Sequence, residues 1–211
     1  MATAPQACVF LTVDATATVQ LVDRLRENRH FEGLHVTTLA LVARAVVLAL
    51  RDHPELNTAW DETSAEVVTK HYVNLGVAVA GPRGLVVPNV KDAHALGLRE
   101  LTRALNDLAA RAREARCTPA ELNGGTITVT NVGVFGVDAG VPILNPGEAA
   151  ILALGAVQRR PWEFEGAVAL RDVVTLSLAF DHRLVDGQAA SRFLVDVGEI
   201  LADTTNLIAA T

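Results

Sequence analysis

The stretch DHRLVDG, Asp181 to Gly187, places an aspartate four residues after a histidine and a glycine directly after that aspartate. An imidazole in water titrates at about pH 6.5, so near neutrality it can take a proton and return it. His182 is therefore a candidate general base. Asp186 is close enough in sequence to fold back and orient the ring or its surroundings. Gly187 permits a sharp backbone turn that a side chain would obstruct. Asp181 and Arg183 flank the histidine with opposite charges and are expected to pair and fix the loop. Five other histidines (His30, His35, His53, His71 and His94) lack an apolar strand before them and an Asp-Gly pair after them. The HxxxDG spacing also suits a satisfied, buried histidine beside a structural turn, so the motif alone leaves both readings open.

The elements that must position this histidine can be read on either side of it. Val168 to Phe180 is an apolar run that reads as a strand, and a helix from about Gln188 to Ala202 puts Ala190, Phe193, Leu194, Val197 and Leu201 on one side. His182 then sits at a strand-turn-helix junction, held firmly with its tip free. Upstream, Cys8 to Asp14 reads as a strand and Val19 to Arg29 as a helix. A mostly apolar helix begins at Thr37 or Thr38, runs to about Asp52 and stops at His53-Pro54. Val73 to Ala80 and Leu85 to Val90 read as a hairpin around GPRG. Leu98, Leu101, Leu105, Leu108 and Ala112 mark one helix face, and Thr118-Pro119-Ala120-Glu121 has the form of a capping box. Thr126 to Asn131 and Glu148 to Val157 complete the strands. Helices and strands mix without regular βαβ alternation, so the expected class is α/β: a two-layer sandwich with a mixed sheet, in one domain over residues 1–211.

The chain has 211 residues, half of them apolar and a fifth charged, with a formal charge of -6. That composition suits a buried core, and the acidic balance without a basic stripe argues against nucleic acid as a partner. Cys8 and Cys117 carry no CxxC or disulfide spacing, so no metal site is expected and both thiols read as reduced. The N-terminus lacks a signal-peptide pattern, and the longest apolar stretch, near Leu39 to Leu50, is broken by Arg44 and too short for a bilayer. A cytoplasmic protein away from the membrane is the expectation.

Further motifs carry a family resemblance across nearly the whole chain. They are HPELNTAW (His53 to Trp60), VNLGVAVAGPRGLVVPNVKDA (Val73 to Ala93), CTPAEL (Cys117 to Leu122), GGTITVTNVGVFG (Gly124 to Gly136), PILNPGEAAILALG (Pro142 to Gly155) and LAFDHRLVDGQAASRFL (Leu178 to Leu194). The chain resembles the catalytic domain of the dihydrolipoamide acyltransferases of 2-oxoacid dehydrogenase complexes, a family that shares its fold and HxxxDG site with chloramphenicol acetyltransferase.

The resemblance implies acyl transfer between dihydrolipoamide and coenzyme A, with His182 as base and a hydroxyl on the glycine-led strand holding the oxyanion. That hydroxyl aligns with Thr130. Thr128 is the competitor, two residues away on the same strand face; without the resemblance both read as ordinary strand residues. Asn131, Gly133 and the segment from Pro142 to Pro146 are implied neighbours of substrate, with turn and packing roles equally open. The resemblance further implies a homotrimer with its sites between subunits, assembled into a cubic or dodecahedral core. Its partners would be a lipoyl domain, a decarboxylase and dihydrolipoamide dehydrogenase.

The family's lipoyl domains, peripheral-subunit-binding domain and basic segment before the first strand have no counterpart in this sequence, and no Asp-Lys-Ala or Asp-Lys-Val turn is present. The lipoyl group is thus expected from another domain or protein. VVPNVKD, Val86 to Asp92, leans weakly toward branched-chain members. Two rival readings are a scaffold that has lost catalysis and an O-acetyltransferase like chloramphenicol acetyltransferase. The intact His182, Asp186, Gly187 and Thr130 weigh against the first, and the absence of that enzyme's other motifs weighs against the second.

Overall fold

The structure is a computed structural model that describes residues 4–82, 84–205 and 207. Arg83 of the GPRG turn and the ends of the expected 1–211 domain lie outside the described residues.

Strand β1 (Gln6–Asp14) leads into helix α1 (Thr16–Arg26), a short 3-10 turn, and helix α2 (Thr38–Ala49). Thr37 caps α2 by accepting a hydrogen bond from the Ala40 N–H at 3.3 Å. The helix is buried from Ala40 through Ala49, as its all-round apolar pattern requires. Next come β2 (Thr58–Asp61) and β3 (Glu66–Thr69), which pair only with each other. The expected hairpin between Val73 and Val90 divides in two. Strands β4 (Leu75–Val77) and β7 (Asn89–Val90) join the main sheet, while β5 (Val79–Gly81) and β6 (Gly84–Val86) form a separate ribbon.

Helix α3 (Leu98–Arg113) buries the leucine face read from its spacing, and α4 (Pro119–Leu122) carries the full Thr118–Glu121 capping box. Strands β8 (Ile127–Asn131), β9 (Ala150–Leu154), β10 (Gln158–Phe164) and β11 (Ala167–Asp181) precede the last long helix, α5 (Gly187–Ala202).

The main sheet runs β1-β11-β9-β8-β4-β7, with β10 paired to the first half of β11. Strand β8 is parallel to β4 and β9, and the other pairs are antiparallel, so the sheet is mixed. Ala7, Val9, Leu11 and Val13 of β1 pack with Ile127, Val129, Leu152 and Leu178 into the core beneath the helices. At Gly198 a β-carbon would stand 2.9 Å from Leu11 and Val13 side chains, so this glycine lets α5 lie close against β1.

The opposite sheet face carries Phe10, Thr12, Ser177, Thr130 and Thr128, placed there by the two-residue alternation. It differs from the helix-covered face in being hydroxyl-rich, and Phe10 is 53% exposed on it.

Three features depart from the sequence reading. Helix α1 begins at Thr16, three residues before the expected start, because Asp14 accepts hydrogen bonds from the Thr16 N–H and hydroxyl and organises the turn. Strand β10 had no counterpart in that reading. Its charges and Pro161 look unlike a strand, but it pairs only with β11, and an edge strand tolerates a missing N–H. Strand β2 was equally hidden, since only its partnership with β3 makes it a strand.

Candidate functional site

His182 directly follows β11 and is exposed, with its backbone N–H donating to the Pro5 carbonyl at 2.9 Å. Its ring lies 5.7 Å from that of Phe180, tilted by 38°. On one side the residue is anchored by an ion pair. Arg183 Nη2 stands 2.7 Å from Asp181 Oδ2, with further guanidinium and backbone hydrogen bonds to the same carboxylate. Burial works to raise the Asp181 carboxyl, but the Arg183 hydrogen bonds and charge outweigh it and hold it below the usual range. Arg183 also reaches Glu62 at 3.4 Å, and its guanidinium carbon lies 5.5 Å from the centre of the Trp60 ring.

Asp186 does not orient the imidazole. It is the N-cap of α5, and its Oδ1 accepts from the Ala189 N–H at 2.8 Å. The helix start leaves N–H groups without intrahelical partners, and a carboxylate there satisfies one while complementing the helix dipole. Gly187 is the first residue of α5 and does not have a left-handed backbone. A β-carbon on it would meet nothing within 4 Å; the chain turns earlier, where the Leu184 and Val185 N–H groups donate to the Asp181 carbonyl, so the turn does not call for glycine at 187.

Thr128 and Thr130 share the sheet face away from the helices but differ in setting. Thr128 is fully buried, and its Oγ1 accepts from Asn145 Nδ2 at 2.9 Å. Thr130 is half-buried. Beside it, the side-chain oxygen of Asn131 is buried without a hydrogen-bond partner among the described residues. Gly133 serves close packing: a β-carbon there would stand 2.3 Å from the Gly155 carbonyl oxygen.

Two residues near this region were missed from sequence. Glu148 is 8% exposed, and its carboxylate accepts from Asn145 Nδ2 at 3.2 Å. Burial raises its pKa, against hydrogen bonds from Thr128 and Asn145 that lower it. Its one sequence signal was a carboxylate opening the apolar run AAILAL, Ala149 to Leu154. Trp60 was quoted only as the end of a motif, and nothing local placed it near His182.

Two clefts meet at the segment Asn145 to Glu148. One, of about 390 Å³, runs between that segment and Asp181, Arg183, Leu184, Trp60 and Glu62. The other, of about 670 Å³, lies toward Gly124, Gly125, Thr126, Lys70 and Tyr72. Among the described residues no group of three or more His, Cys, Asp or Glu side chains is placed to hold a metal ion, and no helix is long and apolar enough to cross a membrane.

The structure does not bring Thr130 and His182 together within one chain. Thr130 pairs with Ala153, and Ala153 with Ser177, five residues before His182. Five extended residues cover roughly 16 Å, and two strand spacings add about 10 Å sideways.

A mixed sheet with helices on one face and a histidine ending a strand before a capped helix define the chloramphenicol acetyltransferase-like sandwich. Chloramphenicol acetyltransferase itself has this fold, with a TM-score of 0.60 at 14% identity, over 94% of this chain and 89% of that one.

The chain belongs to the family of 2-oxoacid dehydrogenases acyltransferases (catalytic domain), whose model matches residues 1–209. It is 38% identical over 182 residues to the dihydrolipoyllysine-residue succinyltransferase component of the 2-oxoglutarate dehydrogenase complex of Escherichia coli K12. That match covers 86% of this chain and 44% of the relative, so the chain spans less than half of that protein's length.

The dihydrolipoamide acetyltransferase of Azotobacter vinelandii gives a TM-score of 0.92 at 28% identity, over 98% of this chain and 85% of that one. In that enzyme a serine, a histidine 52 positions later and an asparagine four beyond it were studied for their roles in the catalytic mechanism. The cubic core of a pyruvate dehydrogenase multienzyme complex gives a TM-score of 0.92 at 29% identity, with the same coverage. The weak lean toward branched acyl chains draws no support from these acetyl and succinyl relatives.

Proposed function

We propose that this chain is the catalytic domain of an acyltransferase that moves an acyl group between dihydrolipoamide and coenzyme A, in the core of a 2-oxoacid dehydrogenase complex. The observation that carries the assignment of residues is spacing. Thr130 stands 52 residues before His182, and Asp186 stands four after it. The serine, histidine and asparagine of the Azotobacter enzyme are separated in the same way. Threonine keeps the hydroxyl of the serine. Aspartate at the last position caps α5, a task asparagine performs equally well.

In this reading His182 takes the proton of the attacking thiol, which is mostly protonated at neutral pH because a free thiol titrates at about 8.5. The Thr130 hydroxyl donates a hydrogen bond to the oxyanion as the tetrahedral intermediate forms. When the intermediate collapses, His182 returns the proton to the departing sulfur. Both ends are thioesters, so the step is close to thermoneutral and reversible. Asp181 and Arg183 fix the backbone that carries the histidine, while Asn131, one residue after Thr130 in β8, projects to the other face of the sheet. The lipoyl group is supplied by another domain or protein.

His182 and Thr130 therefore come from neighbouring subunits of a homotrimer, which assembles further into a cubic or dodecahedral core with a lipoyl domain, a decarboxylase and dihydrolipoamide dehydrogenase as partners. Support comes from their separation within one chain and from the likeness to a cubic core. It also comes from exposed apolar side chains: Phe10 on the Thr130 face, and Val134, Phe135, Val141 and Ile143 in the segment between β8 and β9.

The test is a panel of acyl-CoA donors with free dihydrolipoamide as acceptor, read as relative kcat/KM. Transfer by the wild-type protein is expected. No transfer from acetyl-, succinyl- or branched-chain acyl-CoA overturns the reading.

A further inference from the structure

Gln6 is an exposed side chain at the start of β1, yet both of its polar atoms are engaged by a distant part of the chain. Its Nε2 donates to the Pro142 carbonyl at 2.8 Å, and its Oε1 accepts from the Leu144 N–H at 3.1 Å. An exposed amide has water to bond with, so a two-point grip on one backbone segment is a specific arrangement.

The gripped segment has no regular structure of its own from 141 to 145. Side chains set its path over the sheet face away from the helices. Leu144 is buried against Ile151 and Ala179, with Cys8 packed beside them. Asn145 Nδ2 donates to Thr128 Oγ1 at 2.9 Å, which ties the far end to β8. Cys8, Ala179, Ile151 and Thr128 form one row over β1, β11, β9 and β8, so the segment runs across four strands. Gln6 is its tie at the β1 edge.

The same end of β1 holds the histidine. Gln6 stands opposite Asp181 in the β1–β11 register, and the Pro5 carbonyl accepts the His182 N–H at 2.9 Å. Two adjacent residues, Pro5 and Gln6, thus set where the histidine backbone and the crossing segment lie relative to each other. Between the two gripped residues, Ile143 is 76% exposed.

We propose that Gln6 is a positioning residue for acyl transfer: its amide holds segment 142–144 in place against the strand end that carries His182. The inference rests on the acyl-transfer reading, in which segment 142–146 neighbours substrate. A segment that is already ordered costs little to order when substrate binds, whereas a loose one takes that cost from the binding energy. The Gln6 amide bonds to the segment and not to the imidazole, so proton transfer by His182 is left intact. Its effect falls on KM and not on kcat.

The test is Gln6→Met, which keeps the length of the side chain and removes both hydrogen bonds. In steady-state transfer, with an acyl-CoA that the wild-type protein uses and free dihydrolipoamide, KM for at least one substrate should rise about fivefold to tenfold. At the same time kcat should stay within about twofold of wild type, with the melting temperature little changed. Deuterium exchange should quicken in the peptide that carries the Leu144 N–H and stay as in wild type along β8. A merely structural role would lower the melting temperature and kcat at unchanged KM, and that result overturns the assignment. Unchanged exchange at Leu144, or faster exchange with both KM values unchanged, overturns it too. Gln6→Ala removes the same two bonds and takes the place of Gln6→Met should that protein not fold. If the wild-type chain transfers no acyl group, the acyl-transfer reading has failed, while exchange at Leu144 still reports on the clamp.

Discussion

Thr130 lines up across the sheet, through Ala153, with Ser177, five residues before His182 at the end of the same strand. The two groups proposed for base and oxyanion chemistry therefore lie far apart in one chain. Chemistry that uses both needs a second copy.

That separation predicts complementation. His182→Ala and Thr130→Val should each be inactive as homotrimers, yet a mixture unfolded and refolded together should regain activity. Random assembly places an intact His182 opposite an intact Thr130 at about a quarter of the sites. Recovery of transfer activity in the refolded mixture, against none in unmixed controls, is the measurement. No recovery would place both residues in one subunit's site or outside the chemistry.

Singly, the two substitutions should differ in size. Loss of a general base costs about 10²–10⁴-fold and loss of one oxyanion donor about 10²–10³-fold. His182→Ala is expected to be the more damaging, with its melting temperature near wild type because the His182 side chain is exposed; Thr130 is half-buried, and Val keeps its shape and volume. Wild-type turnover by His182→Ala would sink its assignment.

Asp186 should separate cap from charge. Asp186→Asn keeps a good N-cap and should retain stability and most activity. Asp186→Ala removes the acceptor of the Ala189 N–H and should cost about 1 kcal/mol. Thermal unfolding and transfer rate, measured together, distinguish these outcomes. A large loss of rate in Asp186→Asn at unchanged stability would give the carboxylate a direct role.

Two carboxylates should shape the pH dependence of stability with opposite signs. The Asp181 carboxyl is held low in the folded state, so its contribution is present above its unfolded pKa and is lost as pH falls through the folded value. Asp181→Asn should therefore be destabilising at pH 7 and less so in acid, below about pH 4. The Glu148 carboxyl is raised by burial, so its contribution is complete below the unfolded pKa and is lost as pH rises through the folded one. Glu148→Gln should gain stability relative to wild type as pH rises from about 4 to 7. Melting curves across this range check both, and parallel curves for either variant contradict its assignment.

Much of the fold was legible from local pattern. The leucine spacing of α3, the Thr118 capping box and the alternation in TITVTN each report a local energetic preference, and the structure has all three. The hidden elements were those whose identity depends on a partner. Strand β10 exists because β11 is beside it, and β2 because β3 is. At the site the division is similar. His182, Asp186 and the two threonines stand in recognisable spacings. Glu148 and Trp60 reach the clefts by long-range folding, which no neighbouring residue announces.

The sequence by itself determined which residues match the family's motifs and how far apart along the chain they stand, because motifs and spacing are properties of the chain. Only the tertiary structure decided what those residues do in place. It turned Asp186 from a partner of the imidazole into a helix cap and left Gly187 without a special backbone role. It also set Thr130 and His182 too far apart to act in one subunit. These are matters of sheet register and side-chain direction, and they are set when strands distant in sequence pair.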